Sequence, residues 1–216
     1  MATVRKLTTG QREVLETLTL RVRIATEVQL HRLPANAGNS RRWLSEQLRR
    51  LQRRGLVARH RMALRLLSVE RPLLTWVPGD AAPAWGPFVW QFEKRLSALR
   101  PETVAVYWPT RRAADMFGGT VPRLSRCEQF EHDLGVTDVF LVRQRQTPHS
   151  QERWISEDLL RRRFAGPLLR RVPDAAIVAP DGTVSRLIEF GGQYSVQKLK
   201  AFHAHCRRQA LPYELW

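Results

Sequence analysis

SRRWLSEQLRRLQRR, residues Ser40 to Arg54, holds six arginines on a helical pattern and is followed at once by Gly55-Leu56-Val57. Leu44, Leu48 and Leu51 recur at helical spacing and form a single apolar stripe. At about 100° per residue, Arg42, Arg49 and Arg53 fall on the other side, with Glu46 among them. Gly55 supplies the left-handed stop that a helix end favours, and a β-type run starts directly after it.

Working back from this helix, Thr8 or Thr9 can cap a first helix through Leu20, and Thr26 caps a short second one that Pro34 ends. Ala35 to Asn39 reads as a turn. Working forward, Val57 to Leu67 alternates apolar and basic residues, and Leu73 to Val77 is expected to return beside it as a wing. Three helices and a two-stranded wing make a winged helix-turn-helix, expected over 1–78. Laid in a major groove, the arginine helix brings Ser40, Arg41, Arg42 and Ser45 to base edges and Arg49, Arg50 and Arg53 to phosphates. Arg59, Arg61 and Arg65 would set the wing on backbone or in a minor groove.

Charge supports that division. The 216 residues carry a formal net charge of +16, which favours association with nucleic acid or acidic surfaces. Residues 1–100 hold 19 basic against 7 acidic side chains, and residues 101–216 hold 17 against 13. Arginine greatly outnumbers lysine; this suits phosphate and guanine recognition, though a GC-rich genome produces the same bias. Two cysteines, Cys127 and Cys206, make neither a disulfide framework nor a zinc pattern, and both are expected as buried free thiols. The N-terminus lacks an apolar signal core and no run is long enough to span a bilayer, so a cytoplasmic protein without membrane contact is expected.

Residues 79–121 read as a linker and connector: a Pro/Gly-rich stretch, a helix from Phe88 to Leu99, a short strand Val104 to Trp108, and a small helix Arg111 to Phe117. Residues 122–216 then run helix (Leu124 to Leu134), strand (Val136 to Arg143), an inserted helix near Ser156 to Arg163, strand (Ala175 to Val178) and strand (Val184 to Phe190). A helix (Ser195 to Gln209) and a closing strand (Pro212 to Trp216) complete an α-β-β-β-α-β order. The fold class is therefore α+β, with a winged helix-turn-helix followed by an α/β restriction-endonuclease-like domain.

That order, with Pro173-Asp174 opening one strand and Glu189 on the next, resembles the PD-(D/E)XK nuclease core. The resemblance implies that Asp174 and Glu189 hold Mg²⁺, with an acid of the first helix (Glu128 or Glu131) assisting. A lysine is expected two residues beyond the second acid, yet Gly191 stands there; Lys198 or Lys200 on the next helix is the candidate substitute. An N-terminal winged helix, then His132-Asp133, Trp154 with Glu157, Pro173-Asp174 and Glu189 ahead of a lysine-bearing helix is similar to the replication-relaxation family. The resemblance implies DNA handling on plasmids and other mobile elements.

Two functions from different classes follow. The first is a regulator of transcription or of plasmid or mobile-element replication, binding double-stranded DNA as a homodimer. The second is a metal-dependent endonuclease or nickase using Asp174, Glu189 and Lys198, with Glu131 assisting. The missing lysine weighs against the enzyme. His203 and His205 lie two apart, which is poor metal spacing on a helix. Trp85, Trp90, Trp108, Trp154 and Trp216 are expected as core or interface anchors, with Phe88, Trp90 and Phe92 offering a dimer surface.

Overall fold

The computed structural model describes residues 6–122, 127–147, 151–163, 172–191 and 195–216. Thr8 caps α1 (Thr9–Glu16) in a reciprocal capping box with Gln11, and a π-helical turn (Thr17–Arg21) extends it. The π turn coincides with Thr19, whose hydroxyl donates back to the Leu15 carbonyl at 2.6 Å. β1 (Ala25–Thr26) leads into α2 (Glu27–His31), where Thr26 and Gln29 form a second capping box. Pro34 does end α2, but it also opens a turn of helix, α3 (Pro34–Ala37), where a plain turn was expected.

Ser40 caps α4 (Arg41–Arg53), and Leu44, Leu48 and Leu51 are completely buried. At its end the Gly55 amide donates to the Gln52 carbonyl and the Leu56 amide to the Leu51 carbonyl, with Gly55 at φ +64°. This is a Schellman stop, and Leu51 and Leu56 share one core cluster.

β2 (Val57–Leu64) does not pair with Leu73 to Val77. Its partner is β4 (Glu102–Pro109), antiparallel from Val57 opposite Pro109 to Leu64 opposite Glu102, and β1 pairs on β4's other edge. The expected returning strand is β3 (Leu74–Trp76), which pairs instead with β8 (Tyr213–Leu215). Apolar burial explains the exchange. Trp76 stacks on Tyr213 with ring centroids 5.4 Å apart and meets His203 edge-on, contacts that a half-solvated wing cannot supply. β4 brings Val106, which packs with Leu64, Phe130 and Leu134. The chain thus leaves the first sheet after β2, contributes β3 and α5 (Trp85–Ser97) to the second half, and returns. Strand pairing therefore crosses both expected boundaries, at 78 and at 121.

After α6 (Arg111–Phe117), α7 (Cys127–Gln146) runs unbroken through Val136 to Arg143, so that segment is helix and not the expected strand. A continuous apolar run reads equally as buried strand or buried helix. Here it is buried on several sides at once: Leu134 faces Val106, while Val139 and Phe140 belong to a cluster reaching from Leu15 and Leu48 to Ile177 and Ile188. Gly135 permits this packing, since a Cβ there would lie 2.1 Å from the Phe190 ring. Leu124 and Gly192 lie outside the described residues.

The second sheet has the order β3-β8-β7-β6-β5. β5 (Arg153–Ser156), β6 (Ala175–Val178) and β7 (Val184–Glu189) form an antiparallel meander, and α8 (Glu157–Arg163) lies between the first two. α9 (Val196–Arg208) crosses to β8, which is parallel to β7. The α-β-β-β-α-β succession holds once β5, built around the buried Trp154, replaces Val136 to Arg143 as its first strand.

Two further expectations change. Cys127 is exposed; only Cys206 is buried, and burial pushes its thiol up to about 12. Trp90 is 59% exposed, while Phe88 and Phe92 are buried and unavailable as a surface. Among the described residues no helix is long and apolar enough to cross a membrane.

Candidate nucleic-acid interface and carboxylate cluster

α4 presents its arginines as its periodicity predicts. Arg41, Arg42, Arg49, Arg50 and Arg53 are exposed. Glu46 gathers three of them, with Arg50 at 3.1 Å, Arg53 at 3.2 Å and Arg49 at 3.6 Å. The hydrogen bond from Arg50 and the charges of Arg53 and Arg49 hold the Glu46 carboxyl below its usual range. Arg41 and Arg42 make no ion pair among the described residues, and neither does Arg61.

The remaining expected contacts divide. The Ser40 hydroxyl accepts from the Trp43 amide as the helix cap. Ser45 turns inward and donates to the Glu27 carboxylate, which also accepts from the Tyr107 hydroxyl at 3.4 Å. Glu27 thereby ties α4 to β4. On the same face of the sheet Arg59 lies over the Tyr107 ring, 6.0 Å from its centroid, and Arg61 follows two residues on, opposite Ala105. Arg65 sits beyond the strand, where Glu131 accepts from its amide at 2.8 Å and from its guanidinium at 3.2 and 3.0 Å. Arg65 therefore joins β2 to α7, with Glu131 as its carboxylate partner.

One basic contribution escaped the sequence reading. The Thr110 hydroxyl donates to the Gly55 carbonyl at 2.6 Å, and the Arg112 guanidinium to the Arg54 carbonyl at 3.2 Å. These bonds seat α6, with the exposed Arg111 and Arg112 in its first turn, at the C-terminal end of α4. The signal was present as a threonine cap followed by two arginines, but only the β2–β4 pairing brings it here.

Carboxylates of the second half form a hydrogen-bonded network in which one buried oxygen, Asp133 Oδ2, has no hydrogen-bond partner among the described residues. The Asp174 carboxylate accepts from the Phe190 amide at 2.8 Å, and the Glu189 carboxylate from the Asp174 amide at 3.3 Å, so the strand ends are laced to each other. His132 lies between Asp174 (3.2 Å) and Asp133 (3.3 Å). Arg23, carried in from the segment before β1, reaches Asp158 at 2.7 Å, Glu157 at 2.8 Å and Asp133 at 3.7 Å. Burial disfavours the His132 charge, but the Asp174 carboxylate and the bond to Asp133 outweigh it and hold the imidazole well above its ordinary value. Burial alone would raise Asp174; the neighbouring His132 charge wins, and the carboxyl is held low. Arg23 is likewise held above its ordinary value, its hydrogen bond to Asp158 and three nearby carboxylates overcoming desolvation.

Does this cluster fit a divalent cation? Its countercharges are already internal: an imidazolium on Asp174 and a guanidinium among Asp133, Glu157 and Asp158. A cavity of about 20 Å³ between Arg23, Asp133 and Asp174 has room for about one water. Among the described residues no group of three His, Cys, Asp or Glu is arranged to hold a metal. The residues present do not fit Mg²⁺. The motif lysine is excluded on steric grounds as well, because a Cβ at Gly191 would lie 2.7 Å from the Phe92 ring. Lys198 is exposed on the first turn of α9, and His203 and His205 are buried, with His203 bonded to the Tyr213 hydroxyl at 2.9 Å.

No family model matches the chain, and no curated protein or solved structure matches it either.

Proposed function

We propose that this protein binds duplex DNA and acts as a regulator of transcription or of plasmid or mobile-element replication. In this reading α1 to α4 with the β1-β4-β2 sheet are a winged helix-turn-helix; α4 enters the major groove and the β2–β4 ribbon is the wing. The observation that carries it is the exposed arginine face of α4, backed by buried Leu44, Leu48 and Leu51, with Arg42 in no ion pair among the described residues and Arg59 and Arg61 exposed on the adjoining ribbon. Arg49, Arg50 and Arg53 exchange Glu46 for phosphates on binding, and Arg111 and Arg112 extend the backbone contact. Binding as a homodimer to paired half-sites belongs to the same proposal, and sedimentation of the protein–DNA complex tests it.

The α-β-β-β-α-β half has the succession of the nuclease core, but in this reading it is a scaffold. Asp174 and Glu189 lace β6 to β7, and plasmid incubated with the protein and Mg²⁺ or Mn²⁺ stays intact.

Anisotropy of a labelled duplex at several salt concentrations tests the DNA reading. Affinity should fall steeply with salt, and each phosphate contact removed should flatten the logarithmic slope by about 0.9. Reversing charge at Arg42 and Arg49 should abolish binding; a folded Arg42→Glu/Arg49→Glu protein that holds duplex as firmly as before ends the proposal.

A further inference from the structure

A cleft of about 510 Å³ opens where the first sheet meets α7. Its apolar wall comes from Leu66, Leu67, Val104 and Leu134, and two guanidinium groups, Arg32 and Arg41, border it. The volume is in the range of small-molecule sites, which combine an apolar lining with a few polar groups that fix orientation.

The charges at the cleft are unequally committed. Asp138 accepts from Arg32 at 2.6 Å and from the Gln29 side chain at 3.1 Å, and Glu27 from the Ser45 and Tyr107 hydroxyls. Glu102 is exposed at the start of β4. Arg41 alone among the cleft's cations makes no hydrogen bond or ion pair with the described residues. Arg32 uses one guanidinium nitrogen on Asp138 and keeps further donors. With Arg32 and Asp138 paired and Glu27 held by two hydroxyls, Arg41 and the exposed Glu102 are the cleft's uncommitted charges, and where Arg41 borders the leucine- and valine-lined wall it suits an anion with an apolar body. A carboxylate or sulfonate would take the planar fork in paired hydrogen bonds, and its hydrocarbon would cover Leu66 and Val104.

We infer that this cleft binds a small organic anion, an apolar-bodied carboxylate or sulfonate, with its acid group on Arg41 and its body against Leu66, Leu67, Val104 and Leu134. The site is separate from the carboxylate cluster; it shares Arg41 with the helix proposed to meet DNA, so it is tested without DNA.

The probe is 1-anilinonaphthalene-8-sulfonate, titrated into the folded protein without DNA, with the uncharged N-phenyl-1-naphthylamine as its companion. The sulfonate's fluorescence should rise and saturate at one equivalent. Arg41→Ala should weaken its binding at least tenfold while leaving the uncharged analogue unaffected. Ser68→Trp, which places an indole at the exposed rim of the cleft, should weaken both probes; Val28→Trp, at a second exposed rim position, repeats the test should the first variant misfold. Absence of saturable binding overturns the inference. So does saturable binding that the rim tryptophans leave intact, or a sulfonate affinity that Arg41→Ala does not change.

Discussion

Arg23 and His132 show at the residue scale how charge is balanced inside this protein. Arg23 faces three carboxylates of the second half, so Arg23→Ala leaves Asp133 to His132 and Gln129, Glu157 to Arg161, and Asp158 to Thr120 alone. Removing the shared cation of this half-buried set should cost more than the ~0–1 kcal/mol of a surface pair and less than the ~3–5 kcal/mol of a fully buried one, read from the shift in urea midpoint. Arg23→Lys should recover only part of it, since an ammonium cannot reproduce the two-pronged bond to Asp158. The His132–Asp174 pair makes a signed prediction about pH. His132 is raised, so its contribution is complete below the ordinary imidazole range and fades as pH rises through the raised value. Asp174 is lowered, so its contribution is complete above the ordinary carboxyl range and is lost as pH falls through the lowered value. Urea midpoints between about pH 5 and about pH 9 should therefore decline on the alkaline side, and His132→Ala should flatten that decline.

At the scale of elements, α4 holds its arginines in reserve. Glu46 neutralises part of the surface proposed to meet DNA, so Glu46→Gln should tighten duplex binding and steepen its salt dependence by freeing Arg49, Arg50 and Arg53. The same anisotropy titration reads both effects, and unchanged affinity would show that these arginines do not face phosphate. This helix was legible from sequence because the signals that mark it are local: a leucine stripe at helical spacing and a glycine stop. The wing was not. The Val57 strand has the alternation of an edge in search of a partner, but alternation says nothing about which strand that is. Leu74 and Trp76 lost to Val104 and Val106 through what each could bury, and the winning strand lies 38 residues beyond the end of β2 in sequence. For α7 the obstacle was different: an apolar run buried on more than one side loses the polar face that betrays a helix.

At the scale of the whole molecule, the two sheets share one core. α7 packs on both, and reciprocal bonds between Arg21 and Trp154 (2.6 and 2.8 Å) lace the π turn to β5. Residues 1–78 alone should therefore fail to fold cooperatively, since β2 loses β4 and β3 loses β8. The full chain should melt in one transition by circular dichroism. A well-folded 1–78 fragment would show that the first sheet's closure is dispensable.

The candidate site divides in the same way. Which residues are arginine, and which of them point outward on α4, followed from spacing within a few turns. So did the caps at Thr8 and Thr26 and the glycine stop after α4, because each is an interaction between near neighbours in the chain. The tertiary structure alone decided that Asp174 pairs with His132, that Phe92 packs where a side chain at Gly191 would lie, that Arg65 pairs with Glu131, and that Arg111 and Arg112 lie at the C-terminal end of α4. Those outcomes depend on which distant surfaces bury one another, and a free energy of burial belongs to the pair of surfaces and is not carried by either segment.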